Sequence, residues 1–122
     1  MLEINQKILV ENLSQFTGTS KYYRISPKIL LTDGAYYLAE QAGAFWLMIA
    51  FASHLDELNR DDWFAVLKLH VTGCAASLSI EDGNDNLLAK QEIEFTDFPL
   101  PSITLYGCLE SDQWVLMLPS EY

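Results

Sequence analysis

Between Ala42 and Ala52 the chain runs for eleven residues without a polar side chain. A bilayer core needs about 20 apolar residues in a row, so this run is too short to span one and has to be buried within the protein. Phe45, Trp46, Leu47, Met48, Ile49 and Phe51 leave no polar stripe at helical spacing, which predicts a helix covered on more than one face. Thr32 or Asp33 can cap it through a side-chain oxygen, and one helix is expected from about Gly34 to about Leu58, roughly 37 Å long. Ala39, Gly43 and Ala50 are small residues that would let a neighbouring element come close. Ser53, His54, Asp56, Glu57 and Asn59 make its far end polar and bring it to solvent.

Upstream, Ile4, Ile8, Leu9, Leu13 and Phe16 recur at helical spacing, predicting a one-sided helix over Glu3–Phe16 with Gly18 as its left-handed cap. Thr17 to Pro27 reads as a loop with room for a short strand, and Ile29–Leu31 as a brief extended stretch. After the long helix the period changes to two. Trp63, Ala65, Leu67, Leu69 and Val71 alternate with a mixed face; Ala76, Leu78 and Ile80 alternate with Ser77, Ser79 and Glu81. Asp82 to Asn86 is a turn cluster, beyond which Leu87, Ala89, Gln91, Ile93 and Phe95 alternate with polar residues as a third strand. Phe98-Pro99-Leu100-Pro101 breaks the sheet; Ile103–Leu109 and Gln113–Leu118 supply the last two strands. The expected class is α+β: two N-terminal helices packed on a C-terminal antiparallel β-meander of four to five strands, in a single domain over residues 1–122.

Seven basic against 17 acidic residues give a net charge of −10, which repels phosphate backbones and anionic lipid and argues against direct nucleic-acid or membrane binding. The charge is segregated. Residues 1–60 hold six acidic and five basic side chains, whereas residues 61–122 hold eleven acidic and two basic. Glu81, Asp82, Asp85, Glu92, Glu94 and Asp97 surround one hairpin, with Glu81, Glu92 and Glu94 expected on its wet face. This suits either a solvated sheet face or a surface for a basic protein partner, and acidic imitation of nucleic acid is a further alternative. Lys21, Arg24 and Lys28, interleaved with Tyr22 and Tyr23, form the one local excess of positive charge and could clamp an anion or a planar group.

Catalytic chemistry has few candidates. His70 and Cys74 stand four positions apart but lack the third and fourth ligands that zinc needs, so neither a metal nor another cofactor is expected. Cys74 and Cys108 read as two buried free thiols. The nucleophile-elbow, phosphate-loop and dinucleotide signatures are absent. Asp33-Gly34 at the mouth of the long helix combines an acidic cap with exposed amides, a geometry that binds anions in some proteins and is a plain cap in others. Glu40 stands either partly buried or in water. The leading expectation is a non-enzymatic interaction domain that binds a protein partner. Its contact is expected to be the acidic sheet face or the Tyr22–Arg24 loop. The alternative is a small enzyme or ligand-binding module with a pocket between the long helix and that loop, where Tyr23, Arg24, Asp33 and His54 form the polar set. A homo-oligomer is compatible with either. The N-terminal residues around Glu3 carry no secretory pattern, so a cytoplasmic location is expected.

The strings Phe16 to Arg24, Leu30 to Leu47, Glu92 to Leu100 and the Leu-Pro-Ser-Glu-Tyr stretch at 118–122 resemble a family of small bacterial proteins known only as a domain of unknown function, found in cyanobacteria and on mobile elements. The resemblance runs from Phe16 onward. It implies one self-contained domain and assigns no residue a catalytic role.

Overall fold

A computed structural model describes residues 6–57 and 63–122. The class is α+β, the described residues forming three α-helices on one face of a seven-stranded mixed sheet. Helix α1 (Gln6–Leu13) buries Leu9 and Leu13. The expected start at Glu3 and Ile4 lies outside the described residues. The helix stops short of Phe16 in tightening turns, Gln15 N donating to Asn12 O and Phe16 N to Leu13 O, so Gly18 is not its cap. The following segment is more than a loop: β1 (Tyr23–Ser26) and β2 (Ile29–Leu31) form a hairpin across Pro27-Lys28.

The expected single long helix is two. Helix α2 (Asp33–Gln41) is capped by Thr32, whose Oγ accepts from Ala35 N at 3.3 Å. The chain then turns at Ala42-Gly43-Ala44 and resumes as α3 (Phe45–Asp56). Gly43 adopts φ +61° with open space where a Cβ would point, so it serves as the left-handed break and not as a contact for a neighbour. The apolar run is divided accordingly, with Ala42 and Ala44 at the break and Leu47, Met48 and Phe51 buried in the core. The expected end at Leu58 and Asn59 lies outside the described residues. Among the described residues no helix is long and apolar enough to cross a membrane.

The five expected strands form as β3 (Phe64–Thr72), β4 (Ala75–Glu81), β5 (Leu87–Ile93), β6 (Ser102–Glu110) and β7 (Gln113–Met117). They do not form a meander. The sheet order is β1-β2-β7-β6-β3-β4-β5, so β6 lies against β3 and not against β5. The connection from β5 to β6 crosses the open end of the sheet; Thr96 N donates to Cys74 O and Val71 N to Pro101 O, while Phe98 and Leu100 plug the core. Two prolines suit this path, since a crossing segment has no ladder to donate to. Strand β2 runs parallel to β7, Leu30 opposite Val115, which extends the sheet beyond the expected five strands and makes it mixed.

Alternation decides the faces. Ala65, Leu67 and Leu69, with Leu78, Ile80, Leu105, Trp114 and Leu116, meet the helices in the main core. Gly107 lets α3 approach, since a Cβ there would stand 3.2 Å from the Phe51 ring and 3.5 Å from Leu55. An irregularity between Ile80 and Glu81 pairs Glu81 with Leu87 and takes Leu87 off the core face; it is 60% exposed, and Phe95, beyond the strand, is 74% exposed. Trp63 likewise precedes β3 and is exposed.

Candidate functional site

The five candidate residues fall into separate settings. Tyr23 lies opposite Leu31 and faces the helices, its ring stacked on Tyr36 at 4.0 Å between centroids and 6° between planes. Arg24 lies opposite Leu30 and points to the other face, where it donates to Pro27 O at 2.6 Å and reaches Gln113 Oε1 at 3.4 Å. Tyr22 is exposed. His54 lies near the end of α3, its Nε2 2.8 Å from Gln91 Oε1 on β5. Six strand intervals separate β5 from β1, about 25 to 30 Å at the usual spacing, so His54 does not converge with the tyrosine loop.

Tyr23 and Asp33 do come together, at the start of α2. Asp33 Oδ2 accepts from Ser20 N at 2.8 Å, and the Tyr23 hydroxyl bonds the same carboxylate. The Ser20 amide, more than any other donor, holds the Asp33 carboxyl below the ordinary carboxylate range. Burial, with the neighbouring Asp33 charge second, pushes the Tyr23 phenol above its ordinary value. The amides that open α2 are all taken: Asp33 N donates to Thr19 Oγ at 2.9 Å, Gly34 N to Glu121 Oε2 at 3.0 Å and Ala35 N to Thr32 Oγ. The other Glu121 oxygen accepts from Thr32 Oγ at 2.6 Å and from Leu118 N at 3.0 Å. The helix mouth considered for an external anion is filled by the chain's own carboxylate and hydroxyls.

Parts of three of the four strings that carry the family resemblance, at Thr19 to Tyr23, Thr32 to Ala35 and Leu118 to Glu121, meet at this clasp, whereas Glu92 to Leu100 lies on β5 and the crossover. Sequence reading found the Thr32 cap but not Glu121, which lies 89 positions away.

Glu40 is exposed, and so is Cys74; Cys108 is buried, and both thiols are free. The expectation of two buried thiols fails at Cys74 because it occupies the β3–β4 turn beside Gly73. Cys108 lies opposite Phe64 at the start of β3 and Cys74 lies past its end, about 25 Å away at 3.3 Å per residue, far beyond disulfide reach. Among the described residues no three of His, Cys, Asp and Glu gather as a metal site.

The sheet face opposite the α-helices is divided in two. Toward one corner it is balanced, with Lys68 3.2 Å from Glu81 and Lys90 3.7 Å from Glu92, so the expected row of bare carboxylates is interrupted by lysines. Other described carboxylates stand at two turns, Asp82 and Asp85 between β4 and β5, and Asp112 between β6 and β7 next to Glu110 at the end of β6. Asp82 accepts from Asn84 N and from the Asn86 side chain and amide, with the Asn86 side chain the main cause that keeps it ionised below the usual range.

Those two turns flank an aromatic cluster at the start of β3. Phe64 stands 5.1 Å from Tyr106 and 5.2 Å from Tyr122, and Tyr106 stands 5.6 Å from Tyr122, centroid to centroid. Trp63 adjoins them at 5.7 Å from Phe64. Gly83, at φ +88°, seats the Asp82–Asp85 turn on the Phe64 ring; a Cβ there would come within 3.0 Å of it. On the other side Leu109 N donates to Trp63 O, one residue before Glu110. Beneath the rings lie buried Cys108, Val115 and Met117. Trp63 and Tyr122 are 60% and 68% exposed, a concentration of large apolar surface at this end of the sheet. Sequence reading missed this site: Trp63 read as the first core position of β3, and Tyr122 carried no periodic signal.

No curated protein and no solved structure matches the chain. The family model that does match covers residues 7–122 and is described as a family of unknown function (DUF6876), so the chain belongs to that family.

Proposed function

We propose that the protein is a non-enzymatic interaction domain that binds a basic segment of another protein. The carrying observation is the exposed Trp63 and Tyr122 rings, both against Phe64, on whose ring the Asp82–Asp85 turn is seated, with Glu110 following Leu109, the backbone partner of Trp63. Aromatic faces attract lysine and arginine heads, flanking carboxylates add charge, and exposed aromatics dominate many protein interfaces. This keeps the expectation of a basic partner but moves the contact from the broad sheet face, where Lys68 and Lys90 neutralise Glu81 and Glu92, to its aromatic end. The resemblance to small proteins of cyanobacteria and mobile elements supports reading the partner as a bacterial, cytoplasmic one.

Titration with a lysine- and arginine-rich peptide, followed by Trp fluorescence and calorimetry, tests the reading. Binding is expected to weaken as salt is raised and to fall about tenfold or more in Trp63→Ala and in the Asp85→Lys, Glu110→Lys pair. A peptide that fails to bind, or binds equally well to all variants, defeats the reading.

A further inference from the structure

The two edges of the sheet are built differently. Strand β1 has four residues, shifts register between Arg24 and Ser26, and runs into Pro27, features that blunt an edge against pairing. Strand β5 has seven residues, and its pairing with β4 is uninterrupted from Ala89 to Ile93. Among the described residues its outer edge has no strand partner. Just outside its regular part stand exposed Leu87 and Phe95.

We infer that β5 pairs antiparallel with β5 of a second copy of this chain, about a two-fold axis at Gln91. Strand polarity and the twofold admit only registers centred on a residue, and charge selects among them. An axis at Lys90 sets lysine against lysine, and one at Glu92 sets glutamate against glutamate. An axis at Ala89 leaves Lys90 opposite Leu88. Only the axis at Gln91 places Lys90 of each copy opposite Glu92 of the other, on the face away from the helices, where directly opposed charges interact favourably. The same register brings Ala89 against Ile93 on the helix face. Lysine on an edge strand ordinarily deters pairing; here its partner across the axis is an acid at the matching position.

Sedimentation velocity on the full chain, from about 5 to about 500 µM, reads the outcome, since one strand pair is at the small end of interface sizes. A monomer–dimer equilibrium is expected. Lys90→Glu and Glu92→Lys each place like charges opposite one another twice, and each is expected to raise the dimer Kd about tenfold or more; the double swap restores opposite charges and with them the wild-type Kd. In a Cys74→Ser background, Gln91→Cys is expected to form an intermolecular disulfide on oxidation, because directly opposed Cβ atoms lie about 5 Å apart. A monomer at every concentration overturns the inference. So does a dimer that ignores both reversals or is not rescued by the swap, and so does a Gln91→Cys chain that fails to crosslink; binding of the basic peptide is unaffected by any of these outcomes.

Discussion

Glu121 does the work of several caps, since its two oxygens serve Thr32 Oγ, Leu118 N and Gly34 N. Glu121→Ala leaves the amides of Gly34 and Leu118 without their acceptors and is expected to cost about 1–3 kcal/mol of stability by urea denaturation. Gly34→Ala would drive a methyl onto the Glu121 carboxylate and to within 2.6 Å of Leu118 Cδ1, and is expected to cost about as much. Both changes open one clasp, so the double variant should lose clearly less than the sum; additive losses would mean the two residues act separately. Asp33 and Asp82 have depressed carboxyl pKa values in the folded chain, so their contribution is complete above the unfolded carboxylate range near pH 4 and is lost as pH falls through the lower folded values. Tyr23, with a raised value, has the opposite sign: its contribution is present below about pH 10 and lost as pH rises past it. The Asp33→Asn, Asp82→Asn chain is expected to show a flatter acid limb in stability-versus-pH curves, and an unchanged limb would assign the acid sensitivity elsewhere.

Gly43 separates two accounts of the apolar run. In a continuous helix, Gly43→Ala would stabilise by about 0.5–1 kcal/mol; at φ +61° it is expected to destabilise by about 1 kcal/mol, with Gly43→Asn losing less. Thermal denaturation of the two variants decides by sign. The break escaped sequence reading because a glycine among Ala42, Ala44 and Phe45 reads equally well as a packing position. The strands were legible from Phe64 to Met117, since alternation is a local signal and the turns at Asp82–Asn86 and Ser111-Asp112 carry their own chemistry. Leu87 misled because the shift after Ile80 inverts its side, a change that no property of Leu87 itself announces. The Thr32 cap was legible for the same local reason that the Glu121 half of the clasp was not.

At the scale of the molecule, the net charge of −10 is not spread as a uniform acidic face. Lysines interrupt it on the strands, and Asp82 and Asp85 stand in the turn seated on Phe64. Sequence reading had the α+β class and the excess of acid in the second half, but strand order depends on pairings far apart in the chain and left no mark on the pattern. That order shapes how the fold is reached. Neighbours in sequence can zip β3, β4 and β5 together early, whereas β6 must arrive by way of the proline-bearing crossover, and β2 must find β7 across some 85 residues before the sheet is whole. Until then the half-made ladder shows the bare flank of Phe64–His70, rich in Val66, Leu67 and Leu69, to any chain that drifts past. Losses during refolding at high concentration should therefore arise from intermediates caught at that stage, and not from the finished protein.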